Sequence, residues 1–294
     1  IDHQLQTPSA SWGTFVSDQC AALNVPCIVE AVKVQAGNVE QQAREARYQA
    51  YLKHLKPNEI LVLAHHQQDQ AETLILRLLS GAGVQGLSAM KQVDIREHFS
   101  LWRPLLNISR EQICQWAAQL HVQNIEDPSN LNTDYDRAWC RHELWPMLQN
   151  RYPKMQQALS RTSYLMQDAD EILHDVLQQD WVFCGTAVEL DLKKLSELST
   201  ARQRQLLSAW MKGQDRYRSS FEMVERLRYE VVESKSDAQA ALHWNQYYYV
   251  RYQQKLFRLS AEEYLADKNQ LDTLITTIQV QFNQSIHVLS GQYC

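Results

Sequence analysis

The chain has 294 residues, a formal net charge of −5, 45% hydrophobic residues and 21% charged residues. That length suits two domains and part of a third, and the apolar content excludes a disordered chain. No apolar run reaches the roughly 18 residues that span a bilayer, and a negative balance excludes attraction to nucleic acid by the molecule as a whole.

No basic-then-apolar stretch opens the sequence, so a cytoplasmic location is expected. Cys20, Cys27, Cys114, Cys140, Cys184 and Cys294 are scattered without a C-x-x-C. That pattern fits reduced, mostly buried thiols and argues against zinc or a disulfide framework. The charge is uneven. Residues 201–258 hold 11 Lys/Arg against 6 Asp/Glu, a local +5 that leaves −10 for the rest. Such a region can bind a polyanion, or it can be the solvated face of ordinary helices.

In chain order, "IDHQLQ" reads as the end of a strand. "VPCIVEAVKV" (25–34) alternates apolar and polar residues and predicts a strand. Asn38 is a helix N-cap with Gln41 three residues on, and "NVEQQAREARYQAYLKHL" follows as a helix. "EILVLAHH" (59–66) predicts a short buried strand, and a helix follows from Asp69 to Leu79 with Leu74, Ile75, Leu78 and Leu79 as its buried side. "FSLWRPLL" (99–106) predicts a strand, and "SREQICQWAAQLHV" a helix with a Ser cap. Strands alternating with helices imply an α/β domain with a parallel sheet covered on both faces. From about residue 153 the pattern becomes helical, beginning with one long helix, through about residue 233. Residues 240–260 alternate and predict a β-hairpin. Domain limits are placed at 1–156, 157–261 and 262–294. The last residues, "HVLSGQYC", read as a strand entering a turn, and both chain ends are expected to be cut.

Three stretches carry chemistry. The first is "HHQQDQAETLILRLLSGAGVQGLSAM" (65–90). Its Gly81, Gly83 and Gly86 spell G-x-G-x-x-G but follow a helix instead of opening one, so a dinucleotide loop is excluded by context. A helix-ending glycine turn and a loop lying close to a ligand both remain open. Asp69 and Glu72 share a face of the first helical turn, beyond a strand's carboxyl end where α/β sheets place ligands. Complementing the helix dipole would also explain them. His65 and His66 end a strand and diverge by pleat, which is poor geometry for zinc. The second stretch is "IEDPSNLNTDYDRAWCRHELWPML" (125–148). Here Ser129 or Asn130 suits a cap or a ligand contact, and Tyr135, Arg137 and Arg141 follow at helical spacing. Arg137 and Arg141 suit phosphate, or ion pairs with Asp134 and Glu143. In the third, "EQQAREARYQAY", Arg44 and Arg47 share a face, and Glu40–Arg44 is an i, i+4 pair.

The order of these stretches, with "WRPLL" between the first and second, resembles bacterial tRNA(Ile)-lysidine synthetase, over residues 1 to about 260. The resemblance implies an N-type ATP pyrophosphatase (PP-loop) domain, parallel-sheet and adenine nucleotide α-hydrolase-like, followed by a mainly helical substrate-binding domain. It implies a ligase that joins lysine to C2 of the wobble cytidine of tRNA(Ile) through an adenylated cytidine, with ATP and Mg²⁺. The implied partners are tRNA(Ile) with a CAU anticodon and free L-lysine, with no membrane and with a homodimer as one arrangement. By the same resemblance Asp69, Glu72 and Arg137 are catalytic. His65, His66, Arg44, Arg47, Arg103, Asn130, Tyr135 and Arg141 bind substrate. His3, Gly81, Gly83 and Gly86 lie by the nucleotide, and no protein metal ligand is assigned.

Three departures stand out. Gln68 occupies the first position of the family's tandem acids in H-x-x-D-D-Q-x-E-T. "DHQL" lacks the expected glycine. The phosphate loop S-G-G-x-D-S is not among these residues. Its backbone N–H groups would cradle pyrophosphate, so these residues alone are expected to be inactive, a piece of an enzyme that is also short of most of its C-terminal domain. The alternatives are a PP-loop tRNA thiolase, against which the scattered cysteines argue, and a non-catalytic tRNA-binding remnant.

Overall fold

The computed structural model describes residues 1–6, 8–35, 39–96, 99–213, 218–235 and 240–265. The expected Asn38 cap, the Ser129 side chain and the closing strand at 287–294 lie outside the described residues. The chain divides into two compact units, Ile1–Glu171 and a second from Ile172 onward.

The first unit opens with a helix the sequence reading did not anticipate, α1 (Ser9–Ala22). Its apolar residues form no single face, and none is buried. Residues 25–34 make one parallel bridge, Asp2 to Ala31, in place of the predicted strand. The Asp2 N–H donates to Glu30 O and the Val32 N–H to Asp2 O, both at 2.8 Å. Pairing stops there because Gln4, at φ 55°, turns the chain away. Helix α2 (Val39–His54) buries Ala43 and Ala50. At its last turn, Lys53 Nζ and His54 Nε2 each lie 2.6 Å from the Glu30 carboxylate.

Next come β1 (Ile60–Val62), α3 (Gln67–Leu79), α4 (Val84–Leu87), β2 (Val93–Ile95) and β3 (Ser100–Trp102). The sheet order is β1-β3-β2. Strands β1 and β3 are parallel, with Leu61 opposite Leu101, but β2 runs antiparallel to β3. The sheet is therefore mixed, where a parallel one was expected. Strand β1 was expected to be buried, yet at the sheet edge Ile60 and Val62 remain 57% and 53% exposed. The strand expected over 99–106 ends at Trp102, because Pro104 has no N–H with which to extend a ladder. Likewise the buried face of α3 keeps Leu74 and Ile75 but leaves Leu78 and Leu79 exposed.

Helix α5 (Arg110–Gln119) has the expected Ser109 cap, closed reciprocally by Gln112. A 3₁₀ turn (Pro128–Leu131) leads to α6 (Asp136–Trp139), a π-helical segment (Cys140–Leu144), α7 (Trp145–Arg151) and the 30-residue α8 (Met155–Cys184). Pro146 lies in the first turn of α7. It cannot donate to the preceding turn and crowds the carbonyl four residues back. The widened π turn accommodates both effects. Ala71, Ile75, Cys140, Trp145 and Met155 form the apolar centre here.

In the second unit the end of α8 is followed by β4 (Glu189–Asp191), α9 (Leu192–Glu197), α10 (Thr200–Lys212), α11 (Phe221–Arg226) and a second π segment (Leu227–Val232). Then come β5 (Ala241–Trp244), β6 (Tyr247–Tyr252), β7 (Lys255–Ser260) and α12 (Ala261–Leu265). The expected hairpin is a three-strand meander, and β4 joins it in an antiparallel sheet of order β4-β7-β6-β5. Asn245 and Gln253, both at φ 52°, make the two tight turns. Of the five described cysteines only Cys140 and Cys184 are buried, fewer than expected. Burial pushes both thiols up to about 11. Among the described residues, no helix is long and apolar enough to cross a membrane.

Candidate active site

The start of α3 builds the acidic wall. His66 is the N-cap, and its N–H donates to Asp69 Oδ2 at 2.9 Å while its Nδ1 faces the Asp69 amide. Asp69 therefore closes a reciprocal cap with one oxygen and keeps Oδ1 for other partners. One turn on, Glu72 is wholly buried. It takes the Arg141 fork with both oxygens, at 2.9 Å from Nε and 2.8 Å from Nη2. That pairing raises the Arg141 pKa despite partial burial. Arg141 Nη2 also lies 3.7 Å from Asp69 Oδ1, and Gln68 Nε2 donates to Glu72 Oε1 at 3.0 Å.

In front of this wall is a cleft of about 830 Å³. Asp69, His65 and Arg141 line it. Helix α2 contributes Arg44 and Arg47, and the first residues contribute His3. Asn130, Tyr135 and Arg137 enter from the 3₁₀ turn and α6. Nine of the expected residues, from six segments of the chain, thus meet in one place.

The others do not line it. Glu72 is sealed behind Arg141, and His66 serves as the cap. Arg103 is buried and donates from Nη1 to Lys91 O at 2.6 Å. Gly81, Gly83 and Gly86 follow the far end of α3, whose rise from Asp69 to Leu79 is about 15 Å, and Gly86 O lies 3.5 Å from Arg77 Nη1. Gly81, at φ 73°, closes the helix, and Gly83 caps α4. None of these three glycines lines this cleft.

The ion pairs also differ from those the sequence offered. Arg137 pairs with Glu40 at 3.1 Å, which draws Glu40 away from Arg44, and Arg141 pairs with Glu72 and not Glu143. Arg44 lies over the Tyr48 ring at 5.2 Å from its centroid. Burial lowers the His65 pKa to about 4 against the pull of Asp69, and Arg103, Arg137 and Arg44 add to the lowering, so the ring is neutral at pH 7. His3 is lowered by burial and by Arg47. Arg77 is lowered by burial and by Arg44 and Arg137. The cleft thus brings the Asp69 carboxylate together with the guanidinium groups of Arg44, Arg47, Arg137 and Arg141.

Two polar residues were missed. Gln70 donates to Met90 O at 2.8 Å and to Ser163 Oγ at 3.0 Å, and accepts from the Met90 N–H at 3.0 Å. Glu40 is the other, and only its spacing from Arg44 drew notice in the sequence. The basic character of residues 201–258 is largely spent within the second unit. Arg202 pairs with Asp180, Arg204 with Glu225, Arg226 with Glu230, Arg228 with Glu225 and Glu233, and Lys255 with Glu189. Arg251 and Arg258 donate to backbone carbonyls.

A nucleotide-sized ligand fits the cleft by volume. His65 Nδ1 and Arg47 Nε are buried without a hydrogen-bond partner, so the lining has donor and acceptor capacity to offer. Among the described residues no three His, Cys, Asp or Glu side chains gather to hold a metal ion. Mg²⁺ commonly uses one or two carboxylates together with substrate phosphates, and that arrangement suits this lining.

Comparison with known proteins agrees with this geometry. Residues 1–148 match the family model described as a PP-loop domain, and residues 190–257 match that of a TilS substrate binding domain. A tRNA(Ile)-lysidine synthase of Acinetobacter baylyi is 55% identical over 288 residues, covering 98% of this chain and 62% of the relative. The proteins of the same name from Proteus mirabilis and Shigella flexneri are 39% and 35% identical over 274 and 260 residues. Those matches cover 91% and 87% of this chain and 62% and 60% of the relatives. The chain spans about three fifths of the length of the curated relatives it matches. A PP-loop match over half of the residues, enclosing the whole acidic wall, means that the chain belongs to the PP-loop family.

Proposed function

We propose that the protein carrying this sequence is a tRNA(Ile)-lysidine synthase. It joins the ε-amine of lysine to C2 of the wobble cytidine in tRNA(Ile) with a CAU anticodon, using ATP, and acts in the cytoplasm. The observation that carries this reading is one cleft lined by Asp69 together with Arg44, Arg47 and Arg137. The names of the three relatives, and the pairing of a PP-loop domain with a TilS substrate binding domain, point the same way.

The chemistry asks for two kinds of group. In the first half-reaction the cytidine C2 oxygen attacks the α-phosphorus of ATP and pyrophosphate leaves. The triphosphate brings Mg²⁺ with it. Arginine forks suit that anion, because they offer paired donors at fixed spacing. In the second half-reaction the lysine nitrogen attacks C2, AMP leaves, and one proton must be removed. A lysine ε-ammonium has a pKa near 10.4, so at pH 7 only about one molecule in 2,500 is ready to attack. Asp69 holds that ammonium by charge and accepts the proton on Oδ1, the oxygen not used in the helix cap. Neutral His65 adds no competing charge. Glu72 does not touch substrate in this reading; it fixes Arg141, and Arg141 fixes Asp69.

The test uses the full-length protein, an unmodified tRNA(Ile) transcript, ATP, Mg²⁺ and lysine, with lysidine read by mass spectrometry. Wild type should form lysidine and release AMP. Asp69→Asn should lower lysidine formation at least 100-fold while tRNA affinity stays within a few-fold, on the usual scale of a lost acid–base group. Turnover by Asp69→Asn near the wild-type rate would remove Asp69 from this role.

A further inference from the structure

Two cysteines meet at the end of α1. Cys20 stands in its last turn, and Asn24, at φ 55°, reverses the chain beyond it. The Asn24 N–H donates to Ala21 O at 3.1 Å and the Val25 N–H to Cys20 O at 2.9 Å. This is the paired closure of a Schellman turn, and it sends the chain back along the helix. Gly13, Ser17 and Cys20 share one helix face. A Cβ at Gly13 would lie 3.1 Å from Val29 Cγ1, so the returning segment packs on that face. Ser17 Oγ lies 3.6 Å from Cys27 Sγ, and the Cys20 thiol hydrogen-bonds to the same sulfur. Cys20 is partly buried, whereas Cys27 is exposed and lines the cleft with Gly13 and Val29.

We propose that Cys20 and Cys27 form a thiol-exchange site for a low-molecular-weight disulfide, with Cys27 as the attacking sulfur and Cys20 as the resolving one. Exchange needs a reachable thiolate with a second thiol beside it. Cys27 is the exposed member, and the Ser17 hydroxyl and the Cys20 thiol offer two donors to its sulfur when that sulfur is charged. Partial burial, and then the hydrogen bond to Cys27, raise the Cys20 thiol, so Cys20 keeps its proton while Cys27 attacks. In the first step the Cys27 thiolate attacks one sulfur of the small disulfide. Its S–S bond breaks, a mixed disulfide forms on Cys27, and one thiolate leaves and takes a proton from solvent. In the second step Cys20 loses its proton and attacks the Cys27 sulfur, and the second small thiol leaves with a proton. Two protein thiols are oxidised to one disulfide while one small disulfide is reduced to two thiols. The product ties α1 to the segment holding Cys27 and Val29, which lines the cleft. Cys140 and Cys184 are buried and offer no such access.

The experiment incubates the full-length protein with oxidised glutathione, stops the reaction with an alkylating agent at timed points, and reads tryptic peptides by mass spectrometry. Residues 1–32 contain no Lys or Arg, so one peptide ending at Lys33 carries both cysteines. In wild type this peptide should end as an internal disulfide, two hydrogens lighter, with glutathione on it only in passing. Cys20→Ser should hold glutathione on Cys27, and Cys27→Ser should leave Cys20 unmodified. Cys27 should react at least about fivefold faster than Cys114, which is also exposed but stands on α5. Glutathione that stays on Cys27 of wild type as it does on Cys20→Ser overturns the proposal. So does a Cys27 that reacts no faster than Cys114. If a variant does not fold, the wild-type peptide and the Cys114 comparison decide. The readout is a peptide mass and not lysidine, so a negative result here leaves the proposed function standing, and a protein that makes no lysidine leaves this result standing.

Discussion

Trp210 and Glu72 are both wholly buried, one in each unit, and are kept there for opposite reasons. Trp210 belongs to a cluster of fifteen buried apolar residues drawn from α8 to α11, the second π segment and the antiparallel sheet, and its indole N–H donates to Thr186 O at 2.9 Å. Glu72 borders a cluster of only five, and its burial is offset by Arg141 and Gln68. The second unit is held mainly by removal of apolar area from water. The first places its functional groups through polar contacts of defined direction. A site built this way is accurate in geometry, but it fails abruptly when one partner is lost.

The largest effect should follow Trp210→Ala. Truncating a fully buried Trp typically costs about 3–5 kcal/mol, and denaturant unfolding should show that loss in the second unit. A cost under about 1 kcal/mol would mean that this cluster is not what holds the unit. Glu72→Gln comes next, at about 2–4 kcal/mol, because it leaves a guanidinium unpaired. The figure is below that of a fully enclosed pair, since 26% of the Arg141 side chain is exposed. Adding Arg141→Met should recover part of the loss, and a double-mutant cycle with no coupling would deny the polar lock.

His65 gives a smaller effect that depends on pH. Its pKa falls to about 4 in the folded chain, against an ordinary value of 6.5. The unfolded chain therefore binds the extra proton first. Stability from this group is complete above pH 6.5 and declines as pH falls toward 4. Between pH 7 and 5 the loss should be about 1–2 kcal/mol, and His65→Gln should abolish it. Equal acid sensitivity in both proteins would show that the ring titrates normally. The smallest effect is expected at Arg226, whose pair with Glu230 is about half exposed on both sides. Arg226→Ala should leave the unfolding midpoint unchanged within measurement.

Legibility in the sequence followed the same division. Helices with a capping pattern, such as the one after Ser109, were readable because the signal is local. The cleft was readable residue by residue, since Asp69, Arg44 and Arg137 lie in stretches of marked spacing. Their assignment to partners was not. Arg141 lies 69 positions from Glu72, and nothing local favours that acid over Glu143. Helix α1 was missed because its apolar residues follow no face. The antiparallel turn of β2 was missed because a three-residue strand carries almost no periodicity. The basic count over 201–258 was correct as arithmetic and misleading as a surface, because charge sums do not register which guanidinium groups are already satisfied.

The Gln70 clamp has a consequence for variation along the chain. Its amide behaves as a stretch of borrowed backbone, giving and taking a hydrogen bond with Met90 as a neighbouring strand would. Gln167 adds a second hold on the carbonyls of Ser88 and Met90. What is recognised at position 90 is the peptide group, whatever side chain it bears. Proline, which lacks the N–H, is excluded there. The number of residues between Leu79 and Met90 is fixed, because adding or removing one would bring the wrong peptide to the clamp.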